Sequence, residues 1–222
     1  MFSTALSRPL HPDCPQKCPM PHTSSAPIIL ASGSEIRAHL LRNAGLKPQI
    51  QPARIDEDAI RAALIADGTS PRDQADTLAE LKARKISDRN PEALVIGCDQ
   101  ILACDGRIFG KPATREQARE DLHFLSDKDH HLYSAAVVCQ AGTPIWRQTG
   151  SVKLSMRTIS EEYLEVYIER NWDQIRHSAG CYQVEAEGVR LFSRIEGDYF
   201  HVLGLPLIEL LTWLTIRGDI AA

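Results

Sequence analysis

A chain of 222 residues with 43% hydrophobic content can close a substantial core, as one domain or two closely joined lobes rather than as separate domains. A net charge of −4 supplies no global attraction to nucleic acid or to an anionic membrane, so a phosphorylated ligand would need a local basic cluster. The longest strongly apolar stretch, around Val202 to Leu214, is interrupted by Glu209. It falls short of the ~20 residues a membrane span needs and reads as a buried helix.

Residues 1–27 are proline-rich and lack the continuous apolar core of a secretory signal, so they are expected to be a disordered extension of a cytoplasmic protein. His11, Cys14, Cys18 and His22 have the residue types of a zinc site, but nothing beside them offers the hydrophobic support of a zinc module, and the tail reading is preferred. Met20 is an alternative start of translation. Cys98, Cys104, Cys139 and Cys181 lie scattered in strand-like contexts, which suits reduced thiols.

The folded domain is expected over residues 28–222. "PIILAS" reads as a strand and "EIRAHLLRNAGL" as an amphipathic helix closed by Gly45. The turn between them lacks the glycines and lysine of a P-loop. Ser32 and Ser34 offer hydroxyls, the helix start offers backbone N–H groups, and Arg37 offers a planar fork matching phosphate geometry. A serine-capped helix without a ligand is the plainer alternative. "IQPARIDED" reads as a short extended segment ending in Asp56, Glu57 and Asp58. These acids are either hard ligands for Mg²⁺ or Mn²⁺ or the charged start of the next helix.

Two helices follow, the second with Pro71 near its start. "EALVIGCDQILACDGRIFGKP" reads as a strand, a break at Gly97-Cys98-Asp99, a second strand, an Asp105-Gly106 turn and a loop. At the end of "ALVIG", Asp99 would face the ligand crevice of an α/β sheet and could bind a metal or take a proton from water. The alternative is an aspartate satisfying turn donors. Lys111 in "FGKP" can meet a phosphate or remain a solvated charge. Thr114 with Gln117 makes a capping box for a helix. Residues from His130 to Ser160 alternate like two or three strands, and Ser160 caps the next helix. The end of the chain carries turns at Gly188 and Gly197 and a helix started by Pro206. No Gly-x-Ser-x-Gly elbow or Cys-x-x-Cys pair occurs, which argues against nucleophilic hydrolases and thiol redox enzymes.

Taken in order, "ILASGSEIRAHLL", "IDED", "LAELKA", "VIGCDQILACDGRIFGKP", "ISEEYLEVYI", "SAGCYQVEAEG" and "IEGDYFHVLGLPL" resemble the Maf family of nucleoside triphosphate pyrophosphatases. The resemblance implies a two-lobed α/β fold, a mixed central sheet flanked by helices with a cleft, commonly as a homodimer. It implies cleavage of a nucleoside triphosphate between the α and β phosphates, with a divalent metal such as Mg²⁺ or Mn²⁺ as cofactor. Asp99 then matches the proton-accepting aspartate and, with Glu57, a metal ligand; Ser32, Ser34, Arg37, Lys82 and Lys111 match the phosphate-binding residues.

The resemblance also divides by substrate. Ile36, Gln100 and Glu185 stand where many members carry arginine, threonine and glutamine. The branch acting on 7-methyl-GTP, rather than dTTP and UTP, resembles this chain at Gln100 and Glu185 but carries tryptophan at the position of Ile36. A carboxylate at Glu185 can accept both N–H groups of a guanine edge; alternatively it pairs with Arg190. 7-Methyl-GTP is the expected substrate, with dTTP/UTP as the alternative. A nucleotide-binding regulator of cell division with little catalysis is the reading from another class.

Overall fold

The computed structural model describes residues 26–221. His11, Cys14, Cys18, Met20 and His22 lie outside the described residues. The chain runs β1 (Ile28–Leu30), α1 (Glu35–Asn43), β2 (Gln49–Ile50), α2 (Glu57–Ala66), α3 (Pro71–Ser87), β3 (Leu94–Cys104), β4 (Arg107–Phe109), α4 (Arg115–Leu125), β5 (Asp129–Gln140), β6 (Thr143–Met156), α5 (Glu161–Ile175), β7 (Phe192–Glu196), α6 (Tyr199–Val202) and α7 (Leu207–Arg217). Two 3-10 turns, Ala179–Cys181 and Glu187–Leu191, separate α5 from β7.

All seven strands belong to one mixed sheet in the order β2-β1-β3-β5-β6-β7, with β4 also on β3. One end is parallel, β2 and β3 flanking β1, and the other is antiparallel from β3 through β7. Strand β3 is common to both. The antiparallel hairpins turn where the sequence supplies left-handed residues: Asp105-Gly106 at φ 49° and 78°, and Ala141-Gly142 at φ 48° and 75°.

Helix caps follow the side chains that can accept a backbone N–H. Ser70, Thr114 and Ser160 each accept from the residue three positions on, at 3.2 Å. Thr114 and Gln117 only half-complete the capping box, because Gln117 Oε1 accepts from Ala113 N instead. The helices divide between the two faces of the sheet. Ile101, Ala135, Val137 and Cys139 pack under α3, while Ile96, Cys98, Leu102 and Val138 face the larger core that holds α1, α4, α5 and α7. Each fully buried leucine there, such as Leu41 or Leu122, contributes roughly 2 kcal/mol.

The apolar stretch near the C-terminus is not one buried helix. It divides into α6 and α7 around Gly204 (φ 86°) and Pro206, and α7 buries Leu207, Leu210 and Leu214 while Ile208 and Ile216 are exposed. The stretch is therefore apolar on more sides than the core can cover. Among the described residues no helix is long and apolar enough to cross a membrane.

Helix α3 approaches β3 at Gly97. A Cβ there would stand 2.1 Å from Ala79 O and 2.6 Å from Ala83 N, so only hydrogen fits. Gly97→Ala is expected to destabilise the fold by about 3 kcal/mol through forced separation of α3 from the sheet, measurable as a lowered urea midpoint.

His130 lies in the larger core with its Nε2 2.8 Å from Tyr182 Oη and its ring against Tyr182 and Phe192. Burial pushes its pKa down to about 4. Because the unfolded chain binds this proton first, the stability His130 contributes is present above about pH 6.5 and lost as pH falls toward 4, at about 1.4 kcal/mol per unit. His130→Gln, which keeps a donor for Tyr182, is expected to flatten that loss, as urea unfolding at neutral and mildly acid pH would show.

Candidate active site

Strand β5 covers one edge of β3 from Val95 to Ala103. On the other edge β1 pairs only as far as Ile96 and β4 begins at Leu102. Gly97 to Ile101 therefore have no strand neighbour on that side. The expected break at Gly97-Cys98-Asp99 does not exist: β3 is continuous, because pairing with β5 carries it straight through. Asp99 is consequently a mid-strand residue, just beyond the point where β1 ends.

Asp99 points to the α3 face, where its side chain is 6% exposed. Its Oδ1 accepts from Lys82 Nζ at 2.7 Å, and the same ammonium stands 3.0 Å from Glu57 Oε1. Lys82 reaches this point because it lies on the buried face of α3 with Ala75, Leu78, Ala79, Ala83 and Ile86. Glu57 comes from the first turn of α2, behind the Asp56 cap. Burial alone would raise its pKa, but Lys82 foremost, with Lys111 and Arg61, outweighs burial and holds the carboxyl below its usual range. The acids of "IDED" thus divide: Asp56 caps the helix at 3.0 Å from Ala59 N, and Glu57 joins the site.

Arg61 completes the group. Its Nη2 lies 3.8 Å from Asp99 Oδ2, and sequence reasoning gave it no role. Its position one helical turn after Glu57 was the available signal, since residues four apart share a face.

On the open edge of β3, the loop from β1 to α1 holds Ser32 and the first turn of α1 holds Arg37. Ser32 Oγ accepts from Ser34 N at 3.2 Å and from Arg37 Nη1 at 3.4 Å, and Arg37 Nη1 also donates to Cys98 O at 3.1 Å. Gly204 lets this guanidinium in, because a Cβ there would stand 2.9 Å from Arg37 Nη2. Ser34 occupies the cap position of α1, yet its side chain caps nothing. Ile36 is half-buried against the larger core.

Gln100 and Glu185 stand apart from these groups. Gln100 faces away from Asp99, and its Nε2 donates to Ser134 Oγ at 2.9 Å and to the carbonyls of His201 and Val202 at 3.0 Å each. Glu185 is exposed in the loop between the two 3-10 turns. Arg190 pairs with Glu187 at 3.4 Å, which also accepts from Asn171 and Tyr163, so the alternative pairing of Glu185 with Arg190 is not formed. Lys111 is exposed in its loop and acts on Glu57 through its charge.

Cys98 is fully buried, and burial pushes its thiol up to about 11, which disfavours the thiolate that nucleophilic chemistry needs. Among the described residues no cluster of three or more His, Cys, Asp or Glu could hold a metal. The pair Glu57 and Asp99 nevertheless suits Mg²⁺ or Mn²⁺, which bind to one or two carboxylates plus substrate phosphates and water. Asp99 Oδ2, buried and without a hydrogen-bond partner, is free to face such an ion or a water beside it.

The sequence profile of the Maf-like protein family matches residues 27–216. A nucleoside triphosphate pyrophosphatase of Roseobacter denitrificans is 56% identical over 194 residues, covering 87% of this chain and 98% of that protein. One from Ruegeria pomeroyi is 53% identical over 196 residues, covering 88% and 98%. A 7-methyl-GTP pyrophosphatase of Mesorhizobium japonicum is 45% identical over 193 residues, covering 87% and 97%. A match across nearly the whole described chain, at these identities, means that this protein belongs to the Maf-like family.

Proposed function

We propose that the protein is a nucleoside triphosphate pyrophosphatase and that its substrate is 7-methyl-GTP. The observation that carries the reaction class is Lys82 between Asp99 and Glu57. A buried ammonium that gathers two carboxylates, with one Asp99 oxygen left unpaired, suits attack of water on a polyanion.

In the reaction a water oxygen bonds to the α-phosphorus while the bond from that phosphorus to the α–β bridging oxygen breaks. Pyrophosphate leaves with the bond's electron pair, and the water's proton passes to Asp99 Oδ2. Lys82 holds the other Asp99 oxygen, which fixes the carboxylate's orientation. Arg37 and Lys111 meet phosphate oxygens, and the uncapped first turn of α1 with Ser34 adds neutral donors. A divalent metal held by Glu57 and Asp99 would supply further neutralisation of phosphate charge. The ionised state of Glu57 suits that role.

The choice of base rests on Glu185, an exposed carboxylate that forms no ion pair among the described residues. It is available for the N1–H and N2–H edge of a guanine, and N7-methylation adds a positive charge that an acid favours. The Mesorhizobium japonicum relative named for 7-methyl-GTP supports the same base.

Asp99→Asn is expected to lower kcat about a hundredfold or more, read as monophosphate and pyrophosphate released from a triphosphate panel with Mg²⁺ or Mn²⁺. Unchanged turnover would sink Asp99 as the base, and no turnover by the unaltered protein would favour the binding regulator. Glu185→Gln is expected to move kcat/KM from 7-methyl-GTP toward dTTP and UTP by about tenfold. An unmoved ratio would overturn the base assignment.

A further inference from the structure

We infer that Arg61 is a substrate-contacting residue that binds the pyrophosphate half of the triphosphate, an inference that rests on the reaction proposed above. At 3.8 Å from Asp99 Oδ2 the guanidinium lies outside hydrogen-bonding range, whereas an arginine serving only to hold a carboxylate docks on it at about 2.8 Å, often with two bonds. Its side chain is 21% exposed, and its Nε is buried without a hydrogen-bond partner. Asp99 Oδ2, which faces Nη2, is also unpartnered. At 3.8 Å the two admit no atom between them, but neither is hydrogen-bonded to the other, so guanidinium and carboxylate each keep bonding capacity for a ligand lying beside the pair. A phosphate oxygen can accept from the arginine there while the aspartate oxygen serves the attacking water.

The charges point the same way. Lys82 is committed to two carboxylates, so Arg37, Lys111 and Arg61 remain to meet about four negative charges on a triphosphate.

The placement of α2 assigns the phosphates concerned. Helix α2 packs through Ile60 on the α3 side of the sheet, whereas the segment bearing Glu185 packs through Val184 and Leu191 into the core on the other face. A nucleotide with its base at Glu185 and its α-phosphate at Asp99 therefore directs its β and γ phosphates toward α2. None of the ten residues of α2 is fully buried, so Arg61 can adjust to the phosphates without disturbing a core.

Calorimetric titration of the unaltered protein and of Arg61→Ala with inorganic pyrophosphate, and separately with the nucleoside monophosphate product, tests this. Loss of a charged hydrogen bond predicts at least about a tenfold weaker pyrophosphate Kd, an unchanged monophosphate Kd, and partial recovery in Arg61→Lys. Unchanged pyrophosphate affinity, equal weakening of both ligands, or no pyrophosphate binding by the unaltered protein would overturn the inference. Should Arg61→Ala fail to fold, Arg61→Gln and Arg61→Lys carry the same comparison. Pyrophosphate binding through Arg61 without any triphosphate turnover would defeat the proposed reaction alone; turnover with Arg61-independent pyrophosphate binding would defeat this inference alone.

Discussion

The absence of a side chain at Gly97 governs the rest of the site. Helix α3 lies so close to β3 that a methyl group at Gly97 would overlap the backbone at Ala79 and Ala83, and the alanines at 75, 79 and 83 keep the helix's own contact face thin. This approach brings Lys82 down onto Asp99. A lysine held farther off would need a longer reach or a water bridge to meet a carboxylate buried to 6% exposure. Burying an ammonium with carboxylates is poor economy for stability, since desolvation cancels most of the attraction. A chain that builds such a cluster in the middle of its longest helix-to-sheet contact has a use for it other than holding the fold.

The open edge of β3 joins the two faces of the sheet. Arg37 reaches Cys98 O through the gap that β1 leaves, and Gly204 makes room for it from the far side. The segment containing Gly204 is fixed by Gln100 and Ser134, which donate to the His201 carbonyl at 3.0 and 2.6 Å. Asp99 and Gln100, neighbours on one strand with opposite orientations, thus serve one site from two sides: Asp99 faces the α3 cluster, and Gln100 holds the turn that seats Arg37. Gln100 is tied to the site through backbone as well as through any contact with a base. A threonine at this position lacks the length to span from β3 to two carbonyls of α6.

Much of this architecture was legible in the sequence. The helix caps at Thr114 and Ser160 and the Asp105-Gly106 turn follow from local chemistry, which acts over three or four residues and is written in them. The continuity of β3 was not legible, because Gly97-Cys98-Asp99 reads as a break unless the pairing with β5 is known, and that pairing joins residues about forty positions apart. Lys82 and Arg61 fall between these cases. Lys82 sits at a core position of the pattern Ala75, Leu78, Ala79, Lys82, Ala83, Ile86, where a charge is an anomaly that spacing alone exposes. Arg61 shares a face of α2 with Glu57, but only the sheet shows what that face meets.

The distribution of unsatisfied groups separates this cluster from the other buried polar residues. Ser87 and Ser134 are buried and use their hydroxyls within the protein. Asp121 is buried too, paired with Arg107. Among the described residues, six side-chain atoms are buried without a hydrogen-bond partner, and three of them belong to Arg37, Arg61 and Asp99. Native proteins leave few such atoms, because each costs about 1–3 kcal/mol. Half of these atoms among the described residues therefore belong to two arginine donors and one carboxylate acceptor close to β3. Guanidinium donors call for an acceptor and the carboxylate for a donor, and a phosphate chain with its attacking water would supply both.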